Sequence, residues 1–272
     1  MRDKDMMRTV ISIVLAFFLF VTLTLAVAVA GAAATVFSTK HFNKSFRESI
    51  YSEKNYDSLK TALQDEAKAH SMPEELLSAQ LDYDEFREVL DENIRRAAAG
   101  EEISDDAADA FAAETEKAIN DYFKENGVGV NSYIEAAVSE ITDNAASYYS
   151  DYTTMPFAGS FASQQAGAMK IIKVMVPVCV LLALIAAVVI IKLYERRRPR
   201  KFYISSGVGA AGIAVALTGF AVSRNTGFTF PKELAGYDSF IEGFYGGAAP
   251  VFWIAGIALM IAAMVIKYEK DR

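Results

Sequence analysis

The sequence has few of the residues that most often carry chemistry in proteins. Its 272 residues include one cysteine, Cys179, and two histidines, His41 and His70. A single cysteine excludes an internal disulfide. Neither histidine has a cysteine partner or a pair of carboxylates at helical spacing that would predict a metal site. We therefore expect no metal, no cofactor and no catalytic residues, and we expect both histidines at the surface.

Charged residues are missing from four long stretches of the chain. The uncharged runs cover residues 10–37, 174–191, 202–222 and 250–266. At 1.5 Å per residue, runs of this length reach or nearly reach the hydrocarbon thickness of a bilayer, roughly 30 Å. None has the polar stripe of a helix at the surface of a soluble core. The runs predict an all-α integral membrane protein with four transmembrane helices.

Basic residues between the second and third runs predict the orientation in the membrane. Short loops rich in Lys and Arg stay in the cytoplasm. The loop has one acidic residue, Glu195, and its basic cluster consists of Lys192, Arg196, Arg197, Arg198, Arg200 and Lys201. Arg8 comes just before the first run and Lys267 just after the fourth run, so in a four-span arrangement both lie on the same side of the membrane as this loop. We expect both chain ends in the cytoplasm of a plasma membrane, with the cluster acting as a topology anchor and a lipid headgroup contact.

The first run has an alternative interpretation as a cleaved secretory signal, because basic residues precede it and small residues such as Ala32, Ala33 and Ala34 end it. The apolar core of such a signal is about 7–15 residues long. This run is longer, so we favour a retained helix. Cleavage would leave three spans.

Residues 38–168 are predicted to form an acidic, extracytoplasmic helical domain. They contain 11 Lys and Arg against 26 Asp and Glu, and their apolar residues recur at helical spacing. The first apolar stripe, from Phe42, is expected to continue the first membrane helix outward. The predicted helix ends are a capping box at Ser71–Glu74, a stop at Ala97–Gly100, a cap at Ser104, a stop at Asn126–Gly127 and a cap at Asn131 or Ser132.

The last helix of this domain has a predicted buried seam, and its residues are Ile134, Val138, Ile141, Ala145 and Tyr148. Residues 150–170 are expected to be a juxtamembrane connector, and Pro250 is expected in the first turn of the last span. The predicted order is a tail (1–9), helix 1 (10–37), the domain with its connector (38–168), helix 2 (169–193), the basic loop (194–201), helix 3 (202–222), a short outer loop (223–249), helix 4 (250–267) and a tail (268–272).

The third run is unusually rich in small residues, namely Ser205, Gly207, Gly209, Gly212 and Gly219. Small residues let helix backbones approach closely in a membrane. They predict that this span is the centre of helix packing or of an oligomer contact.

The function expected from these features is that of a non-enzymatic, multi-pass membrane protein, of bacterial origin given its compact chain. No Asp, Glu, Lys, Arg or His lies inside the four runs, which disfavours ion-coupled transport by this chain alone. The outer domain is expected to bind or regulate a membrane or surface protein, or to self-associate; no nucleic acid is expected. As an alternative, the layout of one long outer domain after the first helix resembles that of ABC permeases of the macrolide-exporter and cell-division type. That resemblance implies a separate ATPase partner.

Overall fold

A computed structural model describes residues 2–129, 131–224 and 236–268, and all regular structure in these ranges is helical. The helices are α1 (Arg2–Ala34), α2 (Thr39–Arg47), α3 (Tyr51–Ala69), α4 (Glu75–Ser78), α5 (Tyr83–Ala99), α6 (Asp106–Glu125), α7 (Ser132–Tyr152), α8 (Pro156–Leu193), α9 (Arg197–Arg224) and α10 (Tyr237–Tyr268). The chain forms two compact units. We call them the four-helix unit (Met1–Phe42, Gln165–Phe228 and Ile241–Arg272) and the helical domain (Asn43–Gln164 and Thr229–Phe240).

Four helices are long and apolar enough to cross a membrane, in segments Met6–Ala34, Phe157–Leu193, Arg197–Arg224 and Tyr237–Tyr268. Their outward faces carry exposed large apolar side chains such as Ile185 and Leu217, which are 50% and 60% exposed. Contiguous apolar surface of this kind is stable against lipid. The prediction of an all-helical protein with four candidate membrane-spanning helices is confirmed.

The core of the four-helix unit is made of small and branched residues from all four helices. One cluster contains Leu19, Ala183, Ala186, Val208 and Ala263. A second contains Val215, Ala248 and Phe252. Because most of these side chains are short, the helices can approach closely without leaving cavities.

The first membrane helix does not continue outward, so that prediction is wrong. Helix α1 ends at Ala34, where the Thr35 hydroxyl donates to the Gly31 carbonyl at 2.7 Å. The backbone NH of Phe37 then donates to the Ala32 carbonyl at 2.9 Å, and α2 begins at Thr39. These bonds satisfy the last carbonyls of α1 and close the helix with a turn.

Two predicted non-helical segments are largely helical. The connector at 150–170 becomes helix at Pro156, the first residue of α8. Helix α10 begins at Tyr237, so Pro250 lies inside it rather than in its first turn. Buried residues at i, i+4, i+8 and i+12, from Phe240 to Phe252, outweigh the weak helix propensity of the intervening glycines. Residues 225–235 of the predicted outer loop lie outside the described residues.

Most predicted helix ends in the helical domain are confirmed. Gly100 and Gly127 have φ of 76° and 63° and follow the ends of α5 and α6, the left-handed conformation that glycine adopts at low cost. The Asn131 side chain accepts hydrogen bonds from the NH groups of Tyr133 and Ile134, both at 3.0 Å, and so caps α7. The start of α6 differs by one residue from the prediction, because Asp105 rather than Ser104 is the N-cap residue, although Ser104 Oγ accepts from the NH of Asp106 at 3.2 Å.

The capping box at Ser71–Glu74 is wrong. Ser71 has a φ of 59° and closes the end of α3, because its NH bonds to the Lys68 carbonyl and the NH of Met72 bonds to the Ala67 carbonyl. This pair of bonds is the usual C-terminal turn after a helix. The short α4 then begins after Glu74, whose side chain makes no capping bond.

The seam of α7 ends one residue later than predicted. Val138, Ile141 and Ala145 are buried as expected, but Tyr149 rather than Tyr148 completes the seam. Tyr149 stacks on Phe111 with ring centroids 4.7 Å apart and meets the edge of Phe86 at 6.2 Å. The spacing of four from Ala145 keeps its ring on the face that packs against α6.

Candidate functional site

The helical domain carries an open, charged groove of about 910 Å³. Helix α5 supplies most of it, with Arg47 of α2 on one side and the start of α6 on the other. Its charged lining consists of four arginines, Arg47, Arg87, Arg95 and Arg96, and five carboxylates, Asp84, Glu88, Asp91, Glu92 and Asp106. We call this surface the charged groove.

The charged groove depends on how α5 is held in the domain. Phe86, Leu90 and Ile94 are buried at intervals of four, and they fix one face of α5 against the core. Asn93 is 8% exposed, and its side-chain amide donates to the Thr153 carbonyl at the end of α7, at 3.2 Å. The opposite face of α5, with Arg87, Glu88 and Arg95, therefore points away from the core.

Several groove side chains are held in place by ion pairs. Glu92 accepts hydrogen bonds from Arg95 at 2.6 and 2.9 Å and from Arg96 at 2.8 Å. These bonds, first from Arg95 and then from Arg96, lower the pKa of the Glu92 carboxyl to about 2. Across the groove, Arg47 Nε lies 3.3 Å from Asp91 Oδ2 and joins α2 to α5. Exposed pairs of this kind add little stability, but they orient the guanidinium groups.

The remaining groove charges are mostly acidic. Arg87, Asp84, Glu88 and Asp106 are exposed, and none forms an ion pair with a residue that the structure describes. The free groups are three carboxylates and one guanidinium, and together with the paired groups the lining has four guanidiniums against five carboxylates, a net charge of −1. Such a surface complements a basic protein surface and repels acidic ones.

A second polar cluster lies between α3 and α7. Glu66 is 9% exposed; Asn144 donates to Glu66 Oε1 at 2.8 Å, and the Tyr148 hydroxyl donates to Oε2 at 3.2 Å. Burial, and then the charge of Glu66, raise the pKa of Tyr148. His70 Nε2 lies 3.4 Å from Glu66 Oε1. The cluster joins two helices, and within the described ranges no group of three or more His, Cys, Asp or Glu is arranged to hold a metal ion.

Neither the charged groove nor the Glu66 cluster was singled out by the sequence. Arg95 and Arg96 read as ordinary solvated residues of a helix, and Glu66 and His70 show only the common spacing of four. The groove forms because α5 packs beside Arg47 of α2, which is distant in the sequence, and beside the start of α6, which follows α5 after a short segment. The one local signal is the charge density of residues 84–96, where nearly every outward position of α5 is ionised.

The predicted packing residues of α9 differ in their surroundings. A Cβ atom at Gly207 would lie 2.8 Å from the Ala16 carbonyl of α1, and one at Gly212 would lie 2.7 Å from the Gly256 carbonyl of α10. At Gly219 it would lie 2.6 Å from the Trp253 ring. Gly209 has room, with Ala263 at 3.5 Å, and Ser205 is buried and donates to the Phe202 carbonyl. Three of the five residues thus lie where α9 touches two different helices.

The predicted basic loop is mostly helix, which is a correction. Lys192 lies in the last turn of α8, Arg196 lies in the three-residue connection 194–196, and Arg197, Arg198, Arg200 and Lys201 lie in the first turns of α9. Arginine favours helix, and Pro199 is tolerated so close to a helix start. The connection is tied to α1 because Ser12 Oγ donates to the Tyr194 hydroxyl at 3.0 Å, which in turn donates to the Arg8 carbonyl at 3.4 Å.

The histidines lie in different units. His70 is exposed, as expected. His41 is half-buried in the four-helix unit, where its Nε2 donates to the Phe244 carbonyl at 2.8 Å and its ring lies against Phe244 with centroids 5.2 Å apart. The expectation of a surface position is wrong for His41, because Gly247 leaves space for the imidazole beside α10.

No protein-family model matches this sequence, and neither a curated protein nor a solved structure is significantly similar to it.

Proposed function

We propose that this chain is a non-enzymatic membrane protein of the plasma membrane whose helical domain lies outside the cytoplasm and binds a basic surface of a protein partner through the charged groove. The observation that carries the proposal is the groove itself. It combines oriented guanidinium groups around Glu92 and Asp91 with exposed, unpaired carboxylates at Asp84 and Glu88. Pre-oriented charges of this kind favour specific and rapid association.

The division of the chain supports a role that acts through a partner. The four-helix unit supplies helices suited to a bilayer, and the helical domain is the large water-exposed part with a concave polar surface. In the predicted topology, the basic residues at the α8–α9 connection hold the other end of the helices at the cytoplasmic face. An ABC-permease role is less well supported, because the three residues between α8 and α9 leave no room for a helix that couples to an ATPase.

Site-specific photocrosslinking in intact cells tests the proposal. A photoreactive amino acid at Glu88, inside the groove, is expected to give a covalent adduct with one other protein. The same amino acid at Glu116, an exposed carboxylate on α6 outside the groove, is the matched control and is expected to give none.

A charge-reversal pair sharpens the test. With the photoreactive amino acid kept at position 88, the double variant Asp84→Lys and Asp106→Lys is expected to weaken the adduct about tenfold, equivalent to about 1.4 kcal/mol. Glu116→Lys with Glu140→Lys changes the net charge equally and should leave the adduct intact. Equal amounts of adduct from the photoreactive amino acid at Glu88 and at Glu116, or no adduct from either position, would contradict a partner site in the charged groove. An ATPase in the adduct would favour the permease role, and an adduct of two copies of this chain would mean self-association.

A further inference from the structure

The face of the four-helix unit between α9 and α10 carries an apolar groove of about 420 Å³. Its wall residues are Ile213, Ala216, Leu217 and Phe220 of α9 and Trp253 and Met260 of α10. We call this surface the apolar groove. Its volume lies within the range of about 300–1,000 Å³ typical of small-molecule sites.

The apolar groove exists because the two helices touch along a line of small residues. Backbone meets backbone at Gly212 and Gly256, and Ala216 lies beside Gly256. The bulky residues on either side of this contact project outward and form the walls of the groove. From Ile213 to Phe220 the groove extends about 10 Å along α9, which is less than half of the roughly 30 Å hydrocarbon core. An occupant of the groove would therefore lie within a single leaflet.

A positive charge marks one end of the apolar groove. Arg224, in the last turn of α9, places its guanidinium carbon 4.8 Å from the centre of the Phe220 ring, which forms part of the wall. A guanidinium binds phosphate through two parallel hydrogen bonds. A phosphodiester bound to Arg224 would lie at the end of the apolar groove, next to a lipid acyl chain that occupies the groove.

We infer that the apolar groove and Arg224 form a binding site for one anionic phospholipid, with an acyl chain between α9 and α10 and the headgroup phosphate on Arg224. A second copy of the chain fits this face less well. Helix association in a membrane needs small residues at the contact, but Gly207, Gly212 and Gly219 already face α1 and α10. The exposed walls are Ile213, Leu217 and Phe220, which leave a narrow slot suited to a flexible chain.

Trp253 gives a direct readout, because it is the only tryptophan in the sequence and forms part of the wall. The full chain in detergent micelles would be titrated with phosphatidylglycerol or phosphatidylcholine carrying brominated acyl chains, which quench tryptophan fluorescence on contact. Half-maximal quenching is expected at about fivefold less phosphatidylglycerol, because one arginine near a lipid surface contributes about 1 kcal/mol.

Two variants with matched controls separate the parts of the site. Arg224→Gln should abolish the preference for phosphatidylglycerol, whereas Lys267→Gln, at the end of α10, should keep it. Ala216→Phe should fill the groove and lower quenching by both lipids, whereas Ala210→Phe, an exposed position of α9 outside the groove, should not. Circular dichroism checks that each variant is folded, and the Arg224 comparison stands even if Ala216→Phe is not.

Equal quenching by the two lipids in the unmodified chain would overturn the site, since it would mean ordinary boundary lipid. If the Arg224→Gln variant still preferred phosphatidylglycerol over phosphatidylcholine, the proposed role of the guanidinium would be overturned. A fluorescence change that depends on protein concentration in lipid-free micelles, together with a dimer in light scattering, would assign the groove to a second copy instead. None of these outcomes depends on the partner proposed for the charged groove.

Discussion

At the scale of single residues, Tyr149 is a tightly packed ionisable side chain of the helical domain. It is 5% exposed and stacks between α6 and α7. Burial, and then the charges of Glu85 and Glu114, raise the pKa of its hydroxyl to about 12 from an ordinary value of 10.0. The folded domain therefore holds Tyr149 in its neutral form to higher pH than the unfolded chain does.

We expect Tyr149 to make the domain sensitive to alkali. Its raised pKa favours folding fully below pH 10.0, and this contribution is lost as the pH rises towards about 12. The loss should be on the order of 1–2 kcal/mol after allowance for solvent near the hydroxyl. Tyr149→Phe should remove this part of the pH dependence, measured as the fall in the thermal midpoint of the full chain by circular dichroism between pH 9.5 and 11.5.

Tyr133→Phe is the matched control, because Tyr133 lies on the same helix and is 83% exposed. It should leave the alkaline fall unchanged. If Tyr149→Phe and Tyr133→Phe behaved alike, burial of Tyr149 would not be the cause. From the sequence, the buried seam of α7 is predicted to end at Tyr148, one residue before Tyr149. Spacings of three and of four from Ala145 both fit a helix, and only the packing against Phe111 distinguishes Tyr149 from Tyr148.

At the scale of helices, the contact between α9 and α10 depends on two glycines that face each other. A Cβ at Gly256 would lie 2.6 Å from the Gly212 carbonyl and 2.7 Å from the Ala216 nitrogen. Both neighbours are backbone atoms, which cannot turn aside as a flexible side chain can. A methyl group at this position must therefore push the helices apart.

Gly256→Ala is expected to destabilise the four-helix unit by about 1–3 kcal/mol, the usual cost of overpacking. Gly243→Ala is the control on the same helix, since a Cβ there meets nothing within 4 Å. That change should be neutral or stabilise by up to about 1 kcal/mol, because alanine favours helix over glycine. Thermal unfolding of the two variants in detergent micelles tests the difference in sign, and equal effects would contradict a close backbone contact.

The sequence predicted the helices better than it predicted their ends. Uncharged runs locate the four long helices because lipid imposes one requirement on every residue of a span. The extra turns of α8 before residue 169 and of α10 before Pro250 contain ordinary polar and glycine residues, and tertiary packing decides their conformation. Gly256 was likewise not singled out, because a close approach needs a facing residue on another helix, and one helix alone does not reveal it.

At the scale of the whole molecule, charge is the main guide to orientation. The described chain carries cations in the first turns of α9, where the helix dipole disfavours them. We expect anionic headgroups at the membrane surface to offset that cost. The acidic residues are concentrated in 38–168, with 26 Asp and Glu against 11 Lys and Arg. This asymmetry could be predicted from sequence because it needs only composition and spacing, whereas the charged groove needed the folded positions of α2, α5 and α6.

Cysteine labelling tests the orientation that follows from this asymmetry. The background variant has Cys179, the single native cysteine, replaced by serine. In this background, Glu102→Cys places a thiol in the segment before α6, and Arg198→Cys places one in the basic cluster. Both native residues are exposed. Because short basic segments stay in the cytoplasm, a membrane-impermeant maleimide should label position 102 in intact cells and position 198 only after permeabilisation. The reverse pattern would place the helical domain in the cytoplasm and remove the surface partner with it. Labelling of both positions in intact cells would show that the basic cluster does not hold that end of α9 inside, and the headgroup role of Arg198 and its neighbours would fail even if the four helices span the bilayer.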